Sequence, residues 1–128
     1  MGQELSIKEV MNKLQAFLSE RDWEKFHDPK NLAMSISIEA AELMELFQWR
    51  TNSEASEAAV KPETLERVRE ELADVMLYCF SMAQALDIDI ARAMIDKIAL
   101  NARRYPADRF RGIARKYNET TGEGTTTL

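Results

Sequence analysis

An all-α fold, a four-helix-bundle type of subunit, is predicted by three features of this sequence. Glycine and proline are scarce, four and three in 128 residues, while Ala, Leu, Glu, Lys and Arg abound. Helix-start signals recur: a Ser6/Glu9 capping box, Asp28-Pro29, and Pro62. The row Leu65, Val68, Leu72, Val75, Cys79, Met82, Leu86 alternates spacings of three and four, the seam of a helix packed lengthwise on partners. No segment shows the alternation of a strand. The chain reads as one domain over residues 1–118, followed by a disordered tail over 119–128 rich in Thr and Gly.

The first helix is expected from about Ile7 to Glu20, with Ile7, Val10, Met11, Leu14, Phe17 and Leu18 as its apolar stripe. A polar stretch from Arg21 to His27 follows. The second helix starts at the Asp28 cap and runs to about Trp49. Eleven of the sixteen residues from Leu32 to Phe47 are apolar or Ala, so it is expected to be buried on most sides. Residues 51–61 read as a polar, mobile loop. The third helix extends from Pro62 to about Leu86, and the fourth, capped by Asp87 or Asp89, ends near Arg104 before Tyr105-Pro106. Two helices this apolar are hard to cover with the remaining two, which predicts a homo-oligomer.

Composition narrows the function. A net charge of −5 disfavours binding to nucleic-acid polymers but permits a small anionic substrate if metal ions compensate. The single cysteine, Cys79, sits in an apolar row and reads as a buried thiol, with no intrachain disulfide and no Cys-rich metal site. No signal peptide and no run of about 18 apolar residues is present, so a cytoplasmic location and no membrane are expected. The myristoylation-like start and the Asn118-Glu119-Thr120 sequon are matches by letter only.

The chemistry concentrates in two acidic couplets, Glu39-x-x-Glu42 and Glu71-x-x-Asp74. Residues three apart share a helix face, so each couplet presents two carboxylates together. From 31 to 49 the only charges are Glu39, Glu42 and Glu45; from 70 to 91 they are Glu70, Glu71, Asp74, Asp87 and Asp89. A solvated acidic face would normally carry Lys or Arg one turn on, and neither couplet does. Carboxylates gathered in a low-dielectric setting repel, and a hard divalent cation is the natural neutraliser. One His and one core Cys make no zinc site, and a di-iron site would want Glu-x-x-His twice. Mg²⁺ remains, with Mn²⁺ possible, and magnesium held by a few carboxylates leaves positions for phosphate oxygens.

Phosphate donors are available in Lys97, Asn101 and Arg104, spaced four and three apart on one helical face. The competing reading is a basic last turn that complements the helix dipole, a role assigned to Arg103. Aromatic residues gather at two polar junctions, Trp23, Phe26 and His27, then Phe47 and Trp49. Tyr78 lies one turn after Asp74. Such residues suit stacking on a nucleobase, though helix-end aromatics are also ordinary core.

Several segments together resemble a known family. They are residues 21–32, with Arg21-Asp22-Trp23-Glu24-Lys25-Phe26-His27; residues 39–49, from Glu39 to Trp49; residues 70–78, from Glu70 to Tyr78; and Lys97 with Asn101-Ala102-Arg103-Arg104-Tyr105-Pro106, then Arg111-Gly112 with Lys116-Tyr117. The chain resembles the all-α nucleoside triphosphate pyrophosphohydrolases of the MazG-like superfamily, most of all the dCTP pyrophosphatase branch. The resemblance implies hydrolysis of a nucleoside triphosphate, dCTP or a modified dCTP above others, to the monophosphate and pyrophosphate. It implies Mg²⁺ on Glu39, Glu42, Glu71 and Asp74, phosphates on Lys97, Asn101, Arg104 and Tyr105, and a base and sugar pocket of Trp23, His27, Trp49 and Tyr78. It implies a tetramer rather than a dimer. Ala99 departs from relatives that carry an acidic residue there. The mechanism expected is in-line attack of water on the α-phosphorus, with Glu42 or Glu45 accepting the proton and Lys97 and Arg104 stabilising the leaving pyrophosphate. The alternatives are a pyrophosphohydrolase of broad dNTP range and a non-catalytic helical oligomer that binds a nucleotide or partner.

Overall fold

The computed structural model describes residues 2–119, and all regular structure among them is helical. Most of the expected tail, residues 120–128, lies outside the described residues. The helices are α1 (Ile7–Glu20), α2 (Pro29–Glu45), α3 (Asn52–Ala59), α4 (Pro62–Ala85), α5 (Ile90–Arg104) and α6 (Ala107–Phe110), with a single 3₁₀ turn at Glu24–Phe26. The chain divides between Ile88 and Asp89 into two compact units.

In the first unit each helix starts on the signal its sequence carries. Ser6 and Glu9 close their capping box, Ser6 N–H donating to Glu9 Oε2 at 2.8 Å and Glu9 N–H to Ser6 Oγ at 3.2 Å. Asp28 accepts from the Asn31 backbone N–H at 2.9 Å ahead of Pro29. α3 is a departure from the expected loop. Thr51 and Glu54 form a second capping box, with bonds of 3.1 and 3.2 Å, and the Ser/Glu/Ala run behind them is good helix material. α2 also ends earlier than expected, at Glu45, so Trp49 lies in the turn beyond it.

α1 and α4 end alike. Trp23 N–H reaches back to the Leu18 carbonyl at 3.0 Å and Asp22 N–H to Ser19 at 3.1 Å; Ile88 N–H reaches Ala83 at 2.8 Å and Asp87 N–H reaches Gln84 at 3.3 Å. This double back-bonding needs a left-handed residue, and Asp22 (φ 53°) and Asp87 (φ 54°) supply it. Asp87 therefore closes α4, while Asp89 caps α5 by accepting from Arg92 N–H at 3.0 Å.

α4 packs along α2, and α3 and α1 also touch it. Leu18, Leu32, Leu46, Ala58, Phe80 and Ala83 form the buried core. The expectation that α2 would be buried on most sides is not met within one chain. Met34, Ile38 and Met44 are 51%, 55% and 56% exposed, and Leu65, Leu72 and Leu86 of the α4 seam are about half exposed. The reason is arithmetic: one α4 covers one side of α2, and α1 and α3 lean on α4 instead. Cys79 is half-buried.

In the second unit, Tyr105 follows the last turn of α5 and holds the chain by edge-to-face contacts with Phe110 (5.0 Å) and Tyr117 (5.7 Å). The Arg104 guanidinium lies over the Tyr117 ring at 4.9 Å.

The left-handed conformation at residue 87 gives a stability test. Asp87→Gly should leave the urea midpoint unchanged or slightly raised, since Gly adopts this conformation freely. Asp87→Val should destabilise by about 1–2 kcal/mol, because a branched side chain clashes there.

Candidate active site

α2 and α4 bring the two couplets together. Glu39, Glu42 and Glu71 each offer a carboxylate oxygen within 4.8 Å of the others, a group that could hold a metal ion. The helical rise explains the match: Glu39 and Glu42 are one turn apart on α2, and the α4 face that packs there carries Glu71 and, one turn on, Asp74. Asp74 stands close enough to raise the proton affinity of both Glu39 and Glu71. Glu45 is exposed and lies outside the trio.

The donor chemistry fits a cation. Glu39 Oε2 and Glu71 Oε2 are both buried and have no hydrogen-bond partner, which is costly for an anionic oxygen. Desolvation, first, then the hydrogen bond with Glu42 and repulsion from Glu42, Asp74 and Glu71 push the Glu39 carboxyl up to about 7. Glu71 is raised by desolvation, by its hydrogen bond with Glu42 and by repulsion from Glu42 and Asp74. Arg67, one turn before Glu71, partly offsets this, a basic influence from the preceding turn, whereas the following turn carries none. Among the described residues no Lys or Arg forms an ion pair with any of the four acids.

Asp74 also belongs to a cavity of about 220 Å³, whose lining includes Phe17, Trp23, His27, Tyr78 and Ser81. A neighbouring cavity of about 240 Å³ shares Trp23, His27 and Tyr78 and adds Phe26, Asn31 and Ser35. Three of the four residues expected around a base are thus gathered next to the acids. Trp23 is set edge-on to Phe17, ring centroids 5.6 Å apart at 81°, and the Arg21 guanidinium covers Phe17 at 3.8 Å. Trp49 stands apart, 88% exposed and lining neither cavity. Phe17 and Ser81 were absent from the sequence-derived site. Ser81 could have been found as the next residue of the Asp74–Tyr78 face, whereas the crossing of α1 that delivers Phe17 has no local signal.

In the second unit Lys97, Asn101 and Arg104 share a face of α5 as their spacing requires, with Lys97 and Asn101 exposed and Arg104 half-buried. Tyr105 is half-buried beside them.

The MazG-like family model matches residues 34–120, a span that holds all four acids and the basic face of α5. The chain belongs to the MazG-like family. Among family relatives, it is 38% identical over 116 residues to dCTP pyrophosphatase 1 of both Rattus norvegicus and Homo sapiens, covering 91% of this chain and 68% of theirs. A pyrophosphatase from Archaeoglobus fulgidus has a similar crystal structure, with a TM-score of 0.73 and 38% identity over 83% of this chain and 97% of that one. The family and the all-α class expected from the sequence are both borne out.

The raised Glu39 carboxyl fixes a pH dependence. Its folded-state value lies above the ordinary 4.5, so the folded chain holds this proton more tightly than the unfolded chain does. The stability it contributes is full below about 4.5 and is lost as pH rises to about 7. Glu39→Gln carries no such charge. In EDTA, the stability advantage of Glu39→Gln over the parent should grow between pH 5 and pH 7.5, read from urea midpoints, and a divalent cation should reverse it. A difference that stays flat with pH would show the carboxylates to be solvated.

Proposed function

We propose that this chain is a nucleoside triphosphate pyrophosphohydrolase that cleaves dCTP, or a base-modified dCTP, to the monophosphate and pyrophosphate. The observation that carries the reading is the junction at Asp74, where a cluster of unneutralised carboxylates meets an aromatic cavity. One end suits the cation of a triphosphate, and the other suits a base. Relatives named dCTP pyrophosphatase, 36–38% identical over 91% of the chain, narrow the nucleotide.

Glu39, Glu42, Glu71 and Asp74 would hold Mg²⁺ or Mn²⁺, since all four supply hard oxygen donors. The bound ion would supply charge neutralisation for the phosphates and a lowered pKa for water. The chain's own residues do the rest. Glu42 belongs to the acidic trio that would hold the cation, whereas Glu45, one turn on, is exposed and lies outside it, which leaves Glu45 as the better acceptor for the proton of the attacking water. Lys97, Asn101, Arg104 and Tyr105 take the phosphate chain, and Lys97 and Arg104 stabilise the charge that develops on the leaving pyrophosphate. Trp23, His27 and Tyr78 enclose base and sugar, with Tyr78 packed against the position of a 2′-hydroxyl.

The half-exposed Met34, Ile38, Met44, Leu72 and Met76 support a homo-oligomer, and the resemblance to the dCTP pyrophosphatase branch is what favours a tetramer over a dimer. Trp49, in the turn beyond α2 and 88% exposed, would find its place beside the base in such an assembly. No described helix is long and apolar enough to cross a membrane, and the reading assigns the chain to the free nucleotide pool of the cytoplasm.

Pyrophosphate release from dCTP should require a divalent cation and stop in EDTA. Asp74→Asn should cut turnover more than ~100-fold, beyond the loss typical of a residue that only supports a metal ligand. Glu45→Gln should lower kcat while cation affinity, read by calorimetry, stays unchanged. Retention of full activity by both variants would refute the assignment. Trp49→Ala should raise KM for the preferred nucleotide with no change in cation affinity.

A further inference from the structure

Along α4 the cavity beside the acids is lined by a single helical face: Asp74, Leu77, Tyr78 and Ser81. Asp74 and Ser81 are seven residues apart, so two turns, or about 10 Å, separate them along the axis. That length is comparable with a nucleoside measured from its 5′-phosphate end to the far edge of its base. A ligand with its phosphates at Asp74 therefore brings the far edge of its base to Ser81.

Ser81 is 4% exposed as a residue and no hydrogen bond of its hydroxyl is found among the described residues, but its oxygen is not one of the fully enclosed unpartnered atoms, which are Glu39 Oε2 and Glu71 Oε2; it is open to the cavity it lines. Ser37 on α2 illustrates the usual arrangement, its hydroxyl donating to the Ala33 carbonyl at 3.1 Å. Ser81 lines the Asp74 cavity and also a second one of about 280 Å³, where Gln84 is anchored by a 2.9 Å bond from its amide to the Met11 carbonyl. The hydroxyl thus sits on the wall between two spaces with its hydrogen-bonding capacity free. With no protein partner, the hydroxyl pairs with whatever fills the cavity: water when the site is empty, and the ligand that displaces that water when it is occupied.

We infer that Ser81 is a specificity-determining residue, which hydrogen-bonds the exocyclic polar group on the far edge of the bound base. The inference rests on the nucleotide reading above and names the contact that selects within it. The hydroxyl accepts from an exocyclic amino group and can equally donate to a carbonyl. It therefore favours a base that carries a polar group at that edge over one that carries only hydrogen. A base that displaces the water at this hydroxyl without replacing its hydrogen bond leaves the group unpaired and is disfavoured.

The test compares dCTP with the analogue in which the 4-amino group is replaced by hydrogen, the 2-pyrimidinone deoxynucleoside triphosphate, by kcat/KM with pyrophosphate release as the readout. The parent enzyme should prefer dCTP by roughly five- to tenfold, the worth of one neutral hydrogen bond. Ser81→Ala should lose that preference by slowing on dCTP alone, with an unchanged melting temperature. A parent enzyme that treats both substrates alike overturns the inference without any substitution. So does a variant that keeps the preference or slows equally on both. A parent enzyme that turns over other triphosphates but not dCTP overturns the substrate reading itself, and this contact with it.

Discussion

Repulsion among carboxylates withdrawn from water is the constraint on which the first unit turns. Apolar packing of α2 on α4, centred on Leu32, Leu46 and Phe80, forces Glu39, Glu42 and Glu71 into a space where their oxygens lie within 4.8 Å. No ion pair among the described residues relieves them, and one oxygen on each of Glu39 and Glu71 is left without a partner. The helices thus hold the acids in an arrangement that the acids themselves oppose. Hydrophobic burial acts along the whole interface, while the repulsion acts at one point, so the fold can bear it.

The same packing leaves a residue of unburied surface. α2 is apolar on more sides than one neighbouring helix can cover, and its outer methionines and Ile38 are half exposed. Within the first unit an extra helix is not at hand, because α3 is only eight residues long and packs on α4. The surface that suits self-association and the surface that gathers the acids are two faces of one helix, and both follow from its shortage of charged residues.

Much of this was legible in the sequence because it is local. Helix bounds follow caps, and α1, α4 and α5 fall within a residue or two of where Ser6, Pro62 and Asp89 put them. The couplets were legible because three-residue spacing on a helix fixes a common face. α3 is less legible: Thr51-x-x-Glu54 repeats the Ser6-x-x-Glu9 pattern, but the polarity of the segment behind it suits a loop equally well. Asp87 and Asp89 look alike as caps in sequence, because the left-handed conformation of Asp87 depends on how α4 ends. Phe17 and the exposure of α2 depend on where helices cross, which no window of sequence contains.

α4 shows why distance along a helix matters as much as facing. Its residues 71, 74, 78 and 81 step by three and four, so they stay on one side for nearly three turns. Over that run the chemistry changes from carboxylate to phenol to hydroxyl, in the order in which a nucleotide changes from phosphate to sugar to base. A loop could carry the same groups, but each would move independently. On one rigid helix their separations are fixed by the backbone hydrogen bonds, so a molecule too short or too long to meet both ends gives up contact at one of them. On the proposed reading, discrimination by length would come from the helix itself, and discrimination by base edge from what the helix places at its far end.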